Sequence, residues 1–304
     1  DTSLQIIGFT ITSTTGGEDD GGGALVRIQG QYYWDQGTQQ NYSVPSSATF
    51  RNCIFTIFDS GSLQGEDLQD VAVNILSGGA IFDNCEFTNI TVDYDDYSFG
   101  NLGGGAIKLH CGELYINRSK LTNITVTRST GGGVYGAAIQ LGACDTELTI
   151  INTIIADNLV SYTGGDGEYT ELRGAAINSF AYSGNIQLIN STVVNNTLSS
   201  TSSSQDGPIQ GSAIFAGDWQ ENGYAVYLTI FNSIIHGNRK VMYAGSSSEV
   251  RTNYGQIYLY EDNNDGVEGY ASYSLIGGVN NIEGDEILNL EPEFLDSTYA
   301  LHPR

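Results

Sequence analysis

The chain has 304 residues, and its 11 Lys plus Arg against 35 Asp plus Glu leave a formal net charge of −24. A surface this negative repels nucleic acid and anionic membranes, and no apolar run approaches the ~20 residues that span a bilayer. Gly is abundant at 39, Tyr numbers 19 and Pro only 4.

The chain opens in a strand-like run, Leu4-Gln5-Ile6-Ile7-Gly8-Phe9-Thr10-Ile11, with no basic-then-apolar leader before it. It therefore reads as a segment cut from a longer protein. From there two landmarks alternate. One is a small-residue pair leading into Ala-Ile or Ala-Leu: Gly23-Ala24-Leu25, Gly79-Ala80-Ile81, Gly105-Ala106-Ile107, Ala137-Ala138-Ile139, Ala175-Ala176-Ile177 and Ser212-Ala213-Ile214. The other is an Asn-led signal ending in an apolar residue: Asn52-Cys53-Ile54-Phe55, Asn84-Cys85-Glu86-Phe87, Arg118-Ser119-Lys120-Leu121, Asn152-Thr153-Ile154-Ile155, Asn190-Ser191-Thr192-Val193 and Asn232-Ser233-Ile234-Ile235.

Repetition at 20–50 residues marks a stacked-repeat architecture. Taking Phe9, Phe55, Phe87, Leu121, Ile155, Val193, Ile235 and Ile276 as phase markers gives eight turns spaced by 32 to 46 residues. Runs such as Leu148-Thr149-Ile150-Ile151, Ile186-Gln187-Leu188-Ile189 and Tyr227-Leu228-Thr229-Ile230-Phe231 alternate in and out as strands do. No helical periodicity is sustained. Strands that return in the same order each turn stack parallel on themselves. The expectation is an all-β, right-handed parallel β-helix of about eight turns filling one domain over 1–304. Cys53, Cys85, Ser119, Thr153, Ser191, Ser233 and Ser274 form one small polar ladder, and Asn89, Asn123, Asn158, Asn195 or Asn196, and Asn238 mark sharp bends that tolerate left-handed backbone.

Cys111 and Cys144 both precede an L-x-I strand, and Cys53 and Cys85 share one repeat position. In-register neighbours on parallel strands lie about 4.8 Å apart, within disulfide range. Bonds Cys111–Cys144 and Cys53–Cys85 are expected, with buried free thiols as the alternative for the second pair. Neither pair has zinc-ligand spacing.

The G-G-A-I alternation resembles right-handed parallel β-helix surface proteins of the polymorphic outer-membrane-protein type and related secreted β-helix proteins. The ending Glu291-Pro292-Glu293-Phe294-Leu295-Asp296 is similar to their last-turn segment. The fourth to sixth landmarks depart from the pattern, with Ala or Ser where a second Gly stands in that group. The resemblance implies an extracellular or cell-surface adhesin, passenger or uncharacterised exoprotein.

Turns this long carry insertions, expected on one flank at 12–23, 29–47, 58–77, 93–103, 127–135, 160–173 and 199–210, where per-repeat insertions often bind. Their Tyr- and Asp-rich content, Tyr32, Tyr33, Trp34, Asp93, Tyr94, Asp95, Asp96, Tyr97, Asp166 and Tyr169, suits a glycan or protein ligand. Glu261, Asn263 and Asp265 are spaced like the first half of a calcium loop, without its closing Glu; no other cofactor is expected. A polysaccharide-active enzyme is the alternative, but Asp19-Asp20 and Asp95-Asp96 lie on loops, His236-Gly237-Asn238 reads as an ordinary bend, and Arg27, Arg51, Arg118, Arg128 and Arg173 fall at different phases. A glycan, a protein or neighbouring copies are the expected partners, one of them covering the first rung.

Overall fold

A computed structural model of the chain describes residues 3–12, 24–29, 31–35, 40–44, 46–63, 71–94, 102–142, 144–164, 170–181, 183–201, 208–218, 225–244, 247–252, 255–260, 267–278, 282–290 and 292. Among them there is no helix. The chain is a parallel β-solenoid. A front sheet stacks nine parallel strands, Ser3–Ile7, Ser46–Arg51, Gly78–Asp83, Gly112–Asn117, Asp145–Ile151, Ser183–Ile189, Val226–Phe231, Val267–Ser272 and Glu283–Asp285. A side sheet of twelve strands, a rear sheet of seven and a short sheet of four follow each turn around. At about 4.8 Å per rung the front sheet is about 38 Å long. Eight turns were expected; the front sheet counts nine strands.

Inward positions of successive rungs align into continuous apolar columns, as the alternating strands require. Ile116, Ile150, Leu188 and Ile230 form one on the front sheet, and Phe55, Phe87, Leu121, Ile155, Val193, Ile235 and Ile276 form another on the side sheet. Both belong to one core. Near the N-terminal end aromatic rings fill the bore: Phe50 stacks on Phe82 at 4.9 Å and Phe55 on Phe87 at 4.4 Å.

The phase markers hold from Phe55 onward and slip at the start. Ile11, not Phe9, pairs with Phe55, and Phe9 is 61% exposed. Gly8 there takes the left-handed position that Asn52 takes one rung later. Two copies of the other landmark are misphased as well. Gly79-Ala80-Ile81 belongs to the front sheet, whereas the partner of Ile107 on the rear sheet is Val73. In the first copy Val26, not Leu25, pairs with Val73. Identity of triplets misled here because only register distinguishes an inward Ala on one sheet from an inward Ala on another.

The departure from G-G-A-I is harmless for a physical reason. The left-handed residue is the first glycine of the corner, Gly136, Gly174 and Gly211, at φ of 53°, 53° and 61°. A Cβ on Gly174 would meet the Ile177 carbonyl oxygen at 2.1 Å. The next position has no such restriction, so Ala137, Ala175 and Ser212 fit it.

The polar ladder is real and continuous. Ser119, Thr153, Ser191, Ser233 and Ser274 each donate their hydroxyl to the carbonyl two residues earlier, at 2.8–2.9 Å. Each also accepts the backbone N–H of the ladder residue one rung before, from Cys85 N at 3.0 Å to Ser233 N at 3.1 Å. This geometry corrects the second disulfide. Cys53 and Cys85 are free and buried, and each thiol is shared between the carbonyl two residues earlier (Arg51 at 3.3 Å, Asp83 at 3.6 Å) and a carbonyl of the preceding rung (Ile6 at 3.5 Å, Phe50 at 3.4 Å). Burial foremost raises the Cys85 thiol to about 11. The Cys111–Cys144 bond is present, with Cα atoms 5.0 Å apart.

The expected Asn bends separate into two columns. Left-handed backbone belongs to Asn89, Asn123, Asp157, Asn195 and Gly237. The following residue points inward: Ile90 and Ile124 first, then Asn158, Asn196 and Asn238, all buried. Asn158 Nδ2 donates to Asn196 Oδ1 at 2.8 Å, Asn196 to Asn238 at 2.8 Å, and Asn238 to Gln256 Oε1 at 2.7 Å. Each amide also donates to a carbonyl of the core.

Part of the supposed loop flank is regular. Leu102–Gly103, Gly132–Tyr135, Thr170–Arg173 and Ile209–Gln210 make the short sheet, because the same corner recurs in each turn. Two antiparallel hairpins also appear, Gln31–Asp35 with Gln40–Val44 and Arg239–Ala244 with Ser247–Thr252, where only parallel pairing was expected.

Replacing Asn196 by Ala removes a link with bonds on both sides and strands buried partners; the expected loss is about 2–4 kcal/mol, measured by urea unfolding. Cys111→Ser closes no 33-residue loop and should cost on the order of 3 kcal/mol. A thiol titration of the folded wild-type chain should count none reactive, and two once it is unfolded without reductant.

Candidate functional site

Of the expected binding residues, the structure describes Tyr32, Tyr33, Trp34, Asp93 and Tyr94. Tyr32, Tyr33 and Trp34 sit on the first hairpin, where Tyr33 pairs with Tyr42 and Trp34 with Asn41. Asp93 and Tyr94 end the strand Glu86–Tyr94. Asp95, Asp96, Tyr97, Asp166 and Tyr169 lie outside the described residues, as do the calcium-loop positions Glu261, Asn263 and Asp265. Among the described residues no cluster of three or more His, Cys, Asp or Glu is arranged to hold a metal. His236-Gly237-Asn238 is indeed a bend, with Gly237 left-handed and Asn238 in the amide column.

The outward face of the front sheet is where exposed chemistry collects. One outward column runs Glu113, Glu147, Asn185, Tyr227, Glu268, and the next runs Tyr115, Thr149, Gln187, Thr229, Tyr270, Glu283. A third reaches Phe231, whose ring lies 5.7 Å edge-on from Tyr273. Tyr227, Phe231, Tyr270 and Tyr273 are each 44–56% exposed, all on the seventh and eighth strands of the sheet or the corner after them. Such a concentration of open aromatic surface on two rungs is unusual for a solvated sheet face.

Two grooves open on this face, the larger one walled on its other side by the rear-sheet strand Ile257–Tyr260. The larger, ≈ 720 Å³, is lined by Tyr227, Thr229, Tyr258, Tyr260, Glu268, Tyr270 and Glu283 among others. The smaller, ≈ 450 Å³, is lined by Glu113, Asp145, Glu147, Ser183, Asn185 and Tyr227. Tyr227 borders both, so the two grooves adjoin along the solenoid axis and together make the trough. From Glu113 to Glu268 it crosses four rung steps, about 19 Å. No Lys or Arg is among the described residues lining it. Tyr270 is held in place by donating its hydroxyl to Asp285 Oδ2 at 3.0 Å, which raises the phenol's pKa. Ser183 donates to Asp145 Oδ1 at 2.5 Å.

These residues escaped the sequence reading, which looked to insertions rather than to strands. The signal was present in Tyr227-Leu228-Thr229-Ile230-Phe231. Once Leu228 and Ile230 point inward, Tyr227 and Phe231 must point to solvent.

A second concentration of polar groups is internal. At the glycine corner the outward side chains of the short and rear sheets face each other. The Arg173 guanidinium pairs with Glu171 and lies 4.4 Å from the Phe215 ring centre and 4.8 Å from that of Phe180. Glu171 also accepts the Tyr135 hydroxyl at 2.7 Å, and Asn178 donates to Gln140 at 2.9 Å. These groups are buried and mostly spent on one another. Burial lowers Lys108, and burial plus the Lys108 charge lowers His110 to about 4.

As a possible catalytic pair, Glu113 and Glu147 stand on neighbouring rungs.

Comparison with family models, curated proteins and solved structures finds no match. What the structure shows is the parallel β-solenoid fold. No helix among the described residues is long and apolar enough to cross a membrane.

The His110 environment carries a pH consequence. The unfolded imidazole binds its proton near pH 6.5 and the folded one only near 4, so the unfolded state gains as pH falls through that window. Stability should therefore drop between pH 6.5 and 4. The His110→Gln chain, compared by urea unfolding at pH 7.5 and 4.5, should lose less than the wild type.

Proposed function

We propose that this chain is a non-catalytic, extracellular β-solenoid that binds glycan along the front-sheet trough, as a cell-surface adhesin or passenger does. The observation that carries this reading is the pair of open tyrosines, Tyr227 and Tyr270, beside carboxylates and amides in adjoining grooves, with the half-buried Tyr258 and Tyr260, packed on Phe215, in the wall. Aromatic faces take the apolar faces of sugar rings, and flanking acids and amides take their hydroxyls. The rung spacing gives the trough a repeat comparable to the rise of one sugar along an extended chain.

The Cys111–Cys144 bond favours an oxidising, extracellular setting. The G-G-A-I pattern supports a place among surface β-helix proteins of the polymorphic outer-membrane-protein type. This reading shifts binding from the insertions to the strands that they frame.

Titration of a glycan panel against the 304-residue chain tests the reading. Tyr227→Ala and Tyr270→Ala should each weaken the best binder by about tenfold, near 1.4 kcal/mol, with unchanged thermal unfolding. New reducing ends or unsaturated products in the same incubations would replace the adhesin reading with a polysaccharide-active enzyme.

A further inference from the structure

The trough is chemically one-sided. Glu113, Asp145, Glu147, Glu268 and Glu283 line it, while no described Lys or Arg does. A cation close to its wall is Arg173, which lies 5.8 Å from the Tyr260 ring centre but is paired with the buried Glu171; Arg118 is tied to Asp83 at 2.7 Å on the corner column, and Lys120 faces outward on the side sheet. A neutral chain laid here would leave these carboxylates in contact with hydroxyls alone, and an anionic chain would be repelled. A chain of ammonium groups would meet a carboxylate at several rungs and place others over tyrosine faces, where a cation is attracted to the ring.

Resting on the glycan reading above, we infer that the trough selects polymers of amino sugars with free ammonium groups over their neutral N-acetylated forms. A basic peptide offers the same charge but gains less. From the strand of Glu113 to that of Glu268 the backbone groups beneath the trough are paired on both sides, so an extended peptide can join a sheet only at its far end, where Ile257–Tyr260 and Glu283–Asp285 are the last strands of their sheets. A sugar chain needs only faces, hydroxyls and charges, and the trough provides all three.

The test titrates the full chain, in mildly acidic low-salt buffer, with glucosamine oligomers, their fully N-acetylated counterparts, oligogalacturonate and oligolysine. Glucosamine oligomers should bind about tenfold or more tighter than the N-acetylated series, oligogalacturonate should not bind, and added salt should narrow the gap. The double variant Glu147→Gln/Glu268→Gln, whose exposed side chains leave the core intact, should bring the ratio of the two affinities toward one. Equal binding of both series in the wild-type chain overturns amino-sugar selection while leaving the glycan trough standing. Failure of every oligosaccharide, with oligolysine binding lost on Tyr270→Ala, overturns both and assigns the trough to a basic protein segment.

Discussion

The solenoid depends on one small arrangement repeated at one corner. A left-handed residue turns the chain out of the front sheet, and the next residue points a hydroxyl inward. That hydroxyl does two jobs. The Thr153 hydroxyl, for one, closes on the Ile151 carbonyl two residues before it and accepts the Ser119 N–H of the preceding rung. The buried corner of each turn is thereby satisfied by the next turn, as buried backbone demands. A single rung cannot supply its own acceptor, so the rungs are stable only as a stack. The thiols of Cys53 and Cys85 occupy the same column and imitate the donor half of the pattern at longer distance, each toward two carbonyls.

The amide column shows the same logic deeper in. Where Ile90 and Ile124 sit, the interior is apolar and the side strand runs on unbroken past them. From Asn158 onward the same position carries an amide, and the strand divides in two, Ile154–Ala156 and Leu159–Tyr162. The side-chain amide takes over bonds that a continuous ladder would have made: Ile124 N donates to Asn158 Oδ1 at 3.1 Å, and Asn196 N to Asn238 Oδ1 at 2.9 Å. Buried polar groups are tolerable in a chain of this kind only if every member is joined, and Gln256 ends the row by accepting from Asn238 and donating to the Gly277 carbonyl.

Architecture was legible in the sequence because side-chain type at the corners is dictated by backbone strain and by hydrogen bonding, both local matters. The Asn-Ser-x-Ile signal names a left-handed residue, a ladder hydroxyl and a core residue in order, and the structure keeps that order from Phe55 to Ile276. What failed were cases where one local pattern serves two sheets. Gly79-Ala80-Ile81 reads like a rear-sheet corner but lies on the front sheet, with Ile81 42% exposed. Only pairing with the next rung decides such a case, and pairing is nonlocal. The misplacement of the Asn bends by one residue has the same origin, since Asp157-Asn158 and Asn195-Asn196 each offer two residues fit for either role.

The site was hidden for the opposite reason. Insertions rich in Tyr and Asp draw attention because they interrupt the repeat, whereas Tyr227 and Tyr270 sit inside it, in strands whose inward residues are ordinary. Stacking gives those outward positions their meaning. On the N-terminal rungs the same columns hold Ser47, Thr49, Gly79 and one exposed apolar residue, Ile81; on the last rungs they hold tyrosines, Glu268 and Glu283. Core packing requires none of these, because their neighbours Leu228, Ile230, Val267 and Ala271 already fill the bore. A scaffold that fixes every inward residue leaves the outward ones free to differ along its length, and it holds them at a spacing set by the backbone. The trough takes its chemistry from the side chains and its periodicity from the ladder at the corner.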